Sequence, residues 1–260
     1  MSHPQLSVVL PAYNERENIT DAVDRAVEAL EGIEELDSFE VIVVDDGSSD
    51  GTDEIARELL ERYAPRMRLL RHRINEGYGA AIATGFKAAR GDLVFYTDAD
   101  NQFDVSELRW FLPLVEHADV IVGFRAYRYD TAIRSFLSWA YNLLVRVLFR
   151  VRVRDVDCAF KLFRREVLEK VTIESRDFFV DTEMVAKARK WNFRVVEKGV
   201  RHYPRLSGET TVRASDIPRT LLTVATMWRH IYFPTPGILE EAARMHRELD
   251  AVSIEITAPA

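Results

Sequence analysis

Asp98-Ala99-Asp100-Asn101-Gln102 follows directly on the apolar run Leu93-Val94-Phe95-Tyr96-Thr97. Two carboxylates two residues apart at the end of a buried strand repel one another once desolvated. Such a pair calls for a divalent cation or one trapped proton. Gln102 adds a neutral oxygen at the same alternating spacing. Oxygen ligands alone suit a hard ion, Mg²⁺ or Mn²⁺, which normally arrives with substrate phosphates attached. Asp98, Asp100 and Gln102 are the candidate metal ligands; the competing reading is a strand-end turn with solvated aspartates.

The elements around this run must position it. Short apolar runs at Leu6–Leu10, Glu40–Val44, Met67–Arg71 and Leu93–Thr97 alternate with amphipathic segments near 19–30, 52–63 and 78–89. That alternation predicts an α/β fold with a mostly parallel sheet and helices on both faces. Ligands of such sheets bind outside the carboxyl ends of the strands. Tyr13-Asn14-Glu15, Asp45-Asp46-Gly47, Asn75 to Gly79 and Asp98 to Gln102 all fall there, which argues for one site. The second half reads as a strand at 120–123, a long apolar helix at 132–150, a helix at 178–190, a strand at 193–200 and an apolar helix at 217–233. The segment after Pro236 reads as a polar, peripheral tail. The expected organisation is one domain over 1–235 in two halves, 1–120 and 121–235, followed by the tail 236–260.

Composition is ordinary for a globular chain of 260 residues, 47% apolar and 30% charged. A net charge of −7 argues against a nucleic-acid binder. The lone Cys158 excludes an intrachain disulfide and a cysteine-based zinc site, and suits a reducing compartment. No run of about 18 apolar residues predicts a transmembrane helix. The N-terminus lacks the blocks of a signal peptide. The expected location is cytoplasmic.

Val8-Val9-Leu10-Pro11-Ala12-Tyr13-Asn14-Glu15, Val44 through Thr52 and the Asp98-Ala99-Asp100 run together resemble the family 2 glycosyltransferases of the GT-A, Rossmann-like fold. Within that family the chain resembles dolichol-phosphate mannose synthases and related polyprenyl-phosphate glycosyltransferases, over about residues 6–233. The resemblance implies a metal-dependent, inverting transfer from GDP-mannose or UDP-glucose. It places Pro11, Tyr13, Glu15, Asp45, Asp46 and Ala99 at the nucleotide sugar, and Arg205 in a loop that closes over the diphosphate. The other reading of Asp45-Asp46-Gly47 is a polar turn with Asp50 capping the next helix. Tyr78 stands where some relatives carry lysine.

A lipid phosphate is already an anion, so as an acceptor it needs positive charge rather than a base. Residues 121–170 hold 11 Arg or Lys against 5 Asp or Glu. By resemblance Arg134 and Ser138, four apart on one helical face, contact the acceptor phosphate, with Arg125 beside them. The alternative is a solvated arginine face. Asp157 is either an acceptor-site carboxylate or a turn aspartate. The helices at 132–150 and 217–233 carry apolar faces flanked by arginines, as interfacial helices do, although core packing explains them too. On the first reading the protein sits peripherally on the cytoplasmic face of a membrane, or docks on a separate membrane subunit, and reaches a polyprenyl phosphate there. Two other functions remain open. One is transfer to a sugar hydroxyl, with Asp181 or Glu183 as general base. The other is a catalytically silent nucleotide-sugar-binding adaptor.

Overall fold

The computed structural model describes residues 4–126, 132–204 and 217–258, and of these the side chains of 132–138, 217–221, 239, 241 and 242 are not described. The elements run β1 (Leu6–Ala12), α1 (Ile19–Glu31), β2 (Phe39–Asp45), α2 (Thr52–Tyr63), β3 (Met67–His72), α3 (Tyr78–Ala88) and β4 (Leu93–Thr97). Two 3-10 turns lead to β5 (Val120–Arg125), α4 (Ala132–Phe149), β6 (Phe160–Arg164), α5 (Arg165–Lys170) and α6 (Val180–Lys190). β7 (Val195–Val200), α7 (Ile217–Tyr232), α8 (Pro236–Val252) and β8 (Ser253–Ile256) complete the described chain.

One eight-stranded sheet has the order β7-β5-β6-β4-β1-β2-β3-β8. The ladders β1–β2, β1–β4, β2–β3 and β5–β7 are parallel. β6 is antiparallel to both β4 and β5, and β8 to β3. The reversal of β6 has a functional consequence. The carboxyl ends of β1, β2, β4 and β5 share one edge, and β6 brings to that edge the residues before it, 155–159, rather than those after it.

Alternation along the strands separates two cores, as a period of two requires. Val9, Val44, Tyr96 and Val122 face a cluster with α3, α4, α6, α7 and α8. Val8, Leu10, Val43 and Phe95 face α1, α2 and the 3-10 turns. α4 contributes Val145 and Phe149 to the first cluster, and α7 contributes Val224, Met227 and Ile231. Core packing therefore accounts for one face of each apolar helix and leaves the other to be explained.

The segment after Pro236 corrects the expectation of a peripheral tail. Met245 and Leu249, four apart on α8, are buried in the core. β8 then pairs with β3 in the register Leu69↔Ile256 to His72↔Ser253, and Arg68 Nε donates to Glu255 Oε1 at 2.7 Å. Only one helical face and four strand residues are used, so the polar majority hid the pattern. β8 also covers the outer edge of β3, whose backbone groups on that side would otherwise be unpaired. No helix among the described residues is long and apolar enough to cross a membrane.

Candidate active site

The loops after β1 and β2 are stitched together. Asn14, at φ 55, receives Ser49 N on its side chain, and its own N donates to Ser48 Oγ at 2.9 Å. Asp50 accepts from Thr52 N and Oγ1 and from Arg16 N, so it holds the start of α2, whose N-cap position is Gly51. Pro11 is buried within β1 opposite Val44, whereas Tyr13 is 48% exposed at the loop's crest. Glu15 Oε2 accepts from Asn18 Nδ2 at 2.6 Å.

Asp45 and Asp46 both turn inward. Asp45 Oδ1 accepts from Ser48 N at 3.1 Å, and its Oδ2 lies 3.1 Å from Arg71 Nε without hydrogen-bond alignment. Burial raises the Asp45 carboxyl above the usual range. Asp46 accepts from Glu76 N and Gly77 N, both at 2.9 Å, and its Oδ1 lies 2.7 Å from Nδ1 of the buried His72. It thereby fixes the entry to α3. Gly77 there sits at φ 105, and a Cβ would run into the carbonyl oxygen of Arg176. The aspartate pair expected to face a nucleotide is thus engaged mostly with its own chain.

Asp98 and Asp100 stand on the turn after β4. Asp98 Oδ1 accepts from Tyr78 OH at 2.7 Å. Burial, and next the charge of Asp100, push the Asp98 carboxyl up to about 8. Asp100 Oδ1 accepts from Gln102 N at 3.1 Å, while Asn101, at φ 60, ties the turn to Asn18 O. The Ala99 side chain is buried in the core beneath them. Gln102 Nε2 donates to Tyr203 O at 3.0 Å, and Phe103 bridges His202. The turn is thereby fastened to the segment that leads toward Arg205, which lies outside the described residues. Among the described residues no three or more His, Cys, Asp or Glu gather into a metal cage. Two close carboxylates, one of them driven toward neutrality by burial and by the charge of the other, fit a hard cation that brings phosphate oxygens with it.

Beneath this pair lies a group that sequence reasoning missed. Lys161 on β6 is fully buried, and its Nζ donates to Tyr96 OH at 2.9 Å, to Cys158 O at 2.7 Å and to Asp181 Oδ1. Tyr96 OH also donates to Asp181 Oδ1. Tyr96 and Lys161 face one another because the β4–β6 register pairs them. The signal was present as a single lysine inside the apolar run Ala159-Phe160-Lys161-Leu162-Phe163. Its positive charge acts to lower the carboxyls of Asp98 and Asp157.

The other expected residues divide. Asp157, half-buried in the loop before β6, is pushed up to about 7 by burial, with Asp181 and Asp155 adding to it. Arg125 forks onto Asp155 through Nε (2.6 Å) and Nη2 (2.7 Å), so one edge of its guanidinium is committed within the protein. Asp181 reaches the site but is held by Lys161 and Tyr96. Glu183 lies elsewhere: two residues along a helix is about 200° of rotation. Its Oε1 accepts from Glu174 N (2.8 Å) and Lys187 Nζ (2.6 Å), and its Oε2 from Ser175 N (2.9 Å). Arg134 and Ser138 fall in α4, but their side chains lie outside the described residues. Tyr141 and Asn142, later in the same helix, hydrogen-bond Thr182 and Val156 N and tie α4 to α6 and the 155–157 loop.

Cys158 gives a prediction on the integrity of this loop. It is fully buried, and burial first, with Asp155 second, pushes its thiol well above the ordinary range. A thiol in that state is unreactive because the thiolate is the nucleophile. Intact-mass measurement is expected to show no iodoacetamide adduct on the native protein at mildly alkaline pH, and one after denaturation. Rapid native labelling would show that the 155–159 loop opens.

A sequence model described as "Glycosyl transferase family 2" matches residues 7–172. The chain is 38% identical over 229 residues to glycosyltransferase AglD of Haloferax volcanii, covering 84% of this chain and 35% of that protein. It is 29% identical over 213 residues to a dolichyl-phosphate beta-glucosyltransferase of Dictyostelium discoideum, covering 75% and 65% respectively. To the dolichyl-phosphate beta-glucosyltransferase of Mus musculus it is 35% identical over 179 residues, covering 62% and 55%. The chain thus spans between 35% and 65% of the length of these curated relatives. Among solved structures it superimposes on the mannosyltransferase PcManGT of Pyrobaculum calidifontis, in complex with GDP-Man and Mn²⁺, with a TM-score of 0.59 at 19% identity, over 96% of this chain and 76% of that one. Glucosyl-3-phosphoglycerate synthase of Mycobacterium tuberculosis, in complex with Mn²⁺ and UDP-glucose, gives 0.61 at 19% identity, over 90% and 81%.

Proposed function

The chain belongs to glycosyl transferase family 2, and we propose that it moves a hexose from a nucleoside-diphosphate sugar to a polyprenyl phosphate with inversion at the anomeric carbon. Glucose from UDP-glucose is the first choice, because two of the relatives above are named for glucosyl transfer to dolichyl phosphate; mannose from GDP-mannose is the second. The observation that carries the acceptor class is that both carboxylates expected as a general base are already engaged within the protein. Asp181 is held by Lys161 and Tyr96, and Glu183 clamps the 174–175 backbone. A hydroxyl acceptor needs a base, whereas a phosphate oxygen is already charged.

In the transfer, an acceptor phosphate oxygen forms the new bond to the anomeric carbon. The bond from that carbon to the donor's diphosphate breaks, and its electron pair leaves with the nucleoside diphosphate. Asp98 and Asp100, with the Gln102 side-chain oxygen, would hold a Mg²⁺ or Mn²⁺ ion, which when bound neutralises the departing diphosphate. Tyr78 orients Asp98 by its hydrogen bond, and the Asn101 contact to α1 keeps the turn in place. Tyr13 and Glu15 border the nucleotide, Arg205 closes on the diphosphate, and Arg134 and Ser138 receive the acceptor phosphate.

One observation favours the hydroxyl reading instead: the half-buried Asp157, near 7, has the strength of a good base. The test is transfer of radiolabelled sugar from UDP-glucose and from GDP-mannose to a short polyprenyl phosphate, with Mn²⁺ or with EDTA, by wild type and Asp157→Asn. Metal-dependent, organic-extractable product from one donor, lowered less than about tenfold in Asp157→Asn, is the expected result. A loss of 10² or more, the usual effect of removing a base, or donor turnover without lipid product, would move the assignment to a hydroxyl acceptor.

A further inference from the structure

Where α4 ends, Arg150 adopts φ 54 and turns the chain into an extended stretch. Val151 and Val153 are buried there, while Arg152 and Arg154 are exposed between and after them. Arg146, one helical turn earlier, donates through Nε to Val153 O at 2.7 Å. The four arginines and Glu197 of β7 line a cavity of about 460 Å³. Glu197 is engaged with Arg154, whose guanidinium also lies 4.5 Å over the Phe124 ring. Among the described residues, Arg150 and Arg152 have no carboxylate at ion-pair distance. The cavity wall therefore carries an excess of three positive charges. Guanidinium groups so gathered repel one another, and their planar forks match phosphate oxygens.

The surroundings name the kind of phosphate. Trp139, Leu143 and Val147 are 59%, 44% and 68% exposed, and at 100° per residue they share one face of α4 with Arg146. α7 lies alongside, with Trp228 Nε1 donating to Leu148 O (3.1 Å) and Tyr232 OH to Phe149 O (2.8 Å), and it exposes Leu222, with Phe233 exposed just past its end. A soluble anion needs no such apolar rim. A bilayer does: the apolar stripe enters the acyl boundary while the arginines meet the headgroups. We infer that this arginine cavity is a binding site for the phosphate headgroup of an anionic membrane phospholipid, separate from the sugar-transfer site. It rests on the proposed lipid acceptor for its purpose, but not for its chemistry. Arg154 directly precedes Asp155, the partner of Arg125, so a headgroup held there fixes the approach of the 155–159 loop to the bilayer.

The test is flotation of the full chain with phosphatidylcholine vesicles, with and without phosphatidylglycerol, comparing wild type with Arg150→Gln/Arg152→Gln and with Leu143→Glu/Val147→Glu. Each arginine is worth about 1 kcal/mol at an anionic surface, or roughly fivefold in affinity. The arginine pair should therefore lose about 25-fold on anionic vesicles and nothing on neutral ones. The apolar pair should lose binding to both. Inorganic phosphate at millimolar concentration should not compete. Wild-type affinity in Arg150→Gln/Arg152→Gln would overturn the inference, as would full competition by inorganic phosphate. Transfer to a water-soluble short acceptor, run in parallel, should be unchanged in the arginine variant. If wild type binds anionic vesicles through these arginines yet transfers no sugar to lipid, the proposed acceptor fails and this site stands.

Discussion

Asp100→Asn is expected to reduce sugar transfer by about 10³-fold or more while leaving the protein folded. The substitution keeps an oxygen to accept from Gln102 N, so the turn after β4 retains its internal hydrogen bond. What it removes is one of two negative charges facing the place where a cation would sit. A bound divalent ion supplies several kcal/mol of stabilisation to a departing diphosphate, and each 1.36 kcal/mol is tenfold in rate. Asp98 alone leaves a single carboxylate, already hydrogen-bonded by Tyr78, as the anionic ligand. Calorimetric titration with Mn²⁺ and nucleoside diphosphate should show the metal-assisted part of nucleotide binding lost in Asp100→Asn. Normal turnover in this variant, with normal Mn²⁺ dependence, would sink the assignment of this turn as the metal site.

That turn was legible in the sequence because its chemistry is local. Two carboxylates after an apolar strand are costly wherever the chain goes, and the strand–helix rhythm before them fixes which sheet edge they occupy. The same holds for Tyr13 and Glu15 after β1. Asp45 and Asp46 show where locality ends. They sit at the expected edge, but Arg71, His72 and the backbone of 76–77 converge on them from the next strand and loop, and no spacing in the sequence announces that. Asp181 and Glu183 part company for a simpler reason: two residues along a helix put them on nearly opposite sides of α6. The antiparallel β6 was the least legible element. Its reversal decides that Asp155 to Cys158 lie at the same sheet edge as the turn after β4 and that Lys161 lies beneath them. Periodicity reports a strand's faces and not its direction. β8 was missed because four residues with one alternation carry too little signal.

Lys161→Met is expected to destabilise the protein by about 3–5 kcal/mol, the usual consequence of leaving one charge of a buried pair without its partner. Nζ serves Tyr96, Cys158 O and Asp181 at once, with no solvent access, so no water replaces it without rearrangement of the β4–β6 ladder. At this chain length that loss corresponds to a fall in Tm of roughly 10 °C. Lys161→Met/Asp181→Leu removes both charges and should recover most of the stability, because an apolar replacement of a buried ion pair is commonly near neutral. Sugar transfer should not recover with it. Lys161 and Asp181 together fix the Tyr96 hydroxyl, and Lys161 holds the Cys158 carbonyl of the loop before β6, and an apolar pair can do neither. Denaturant titration gives the first quantity and the split of kcat from donor KM the second. Recovery of transfer together with stability would make Lys161 a packing residue only. A cost below about 1 kcal/mol, the worth of an exposed pair, would mean that the charge under the site is solvated after all.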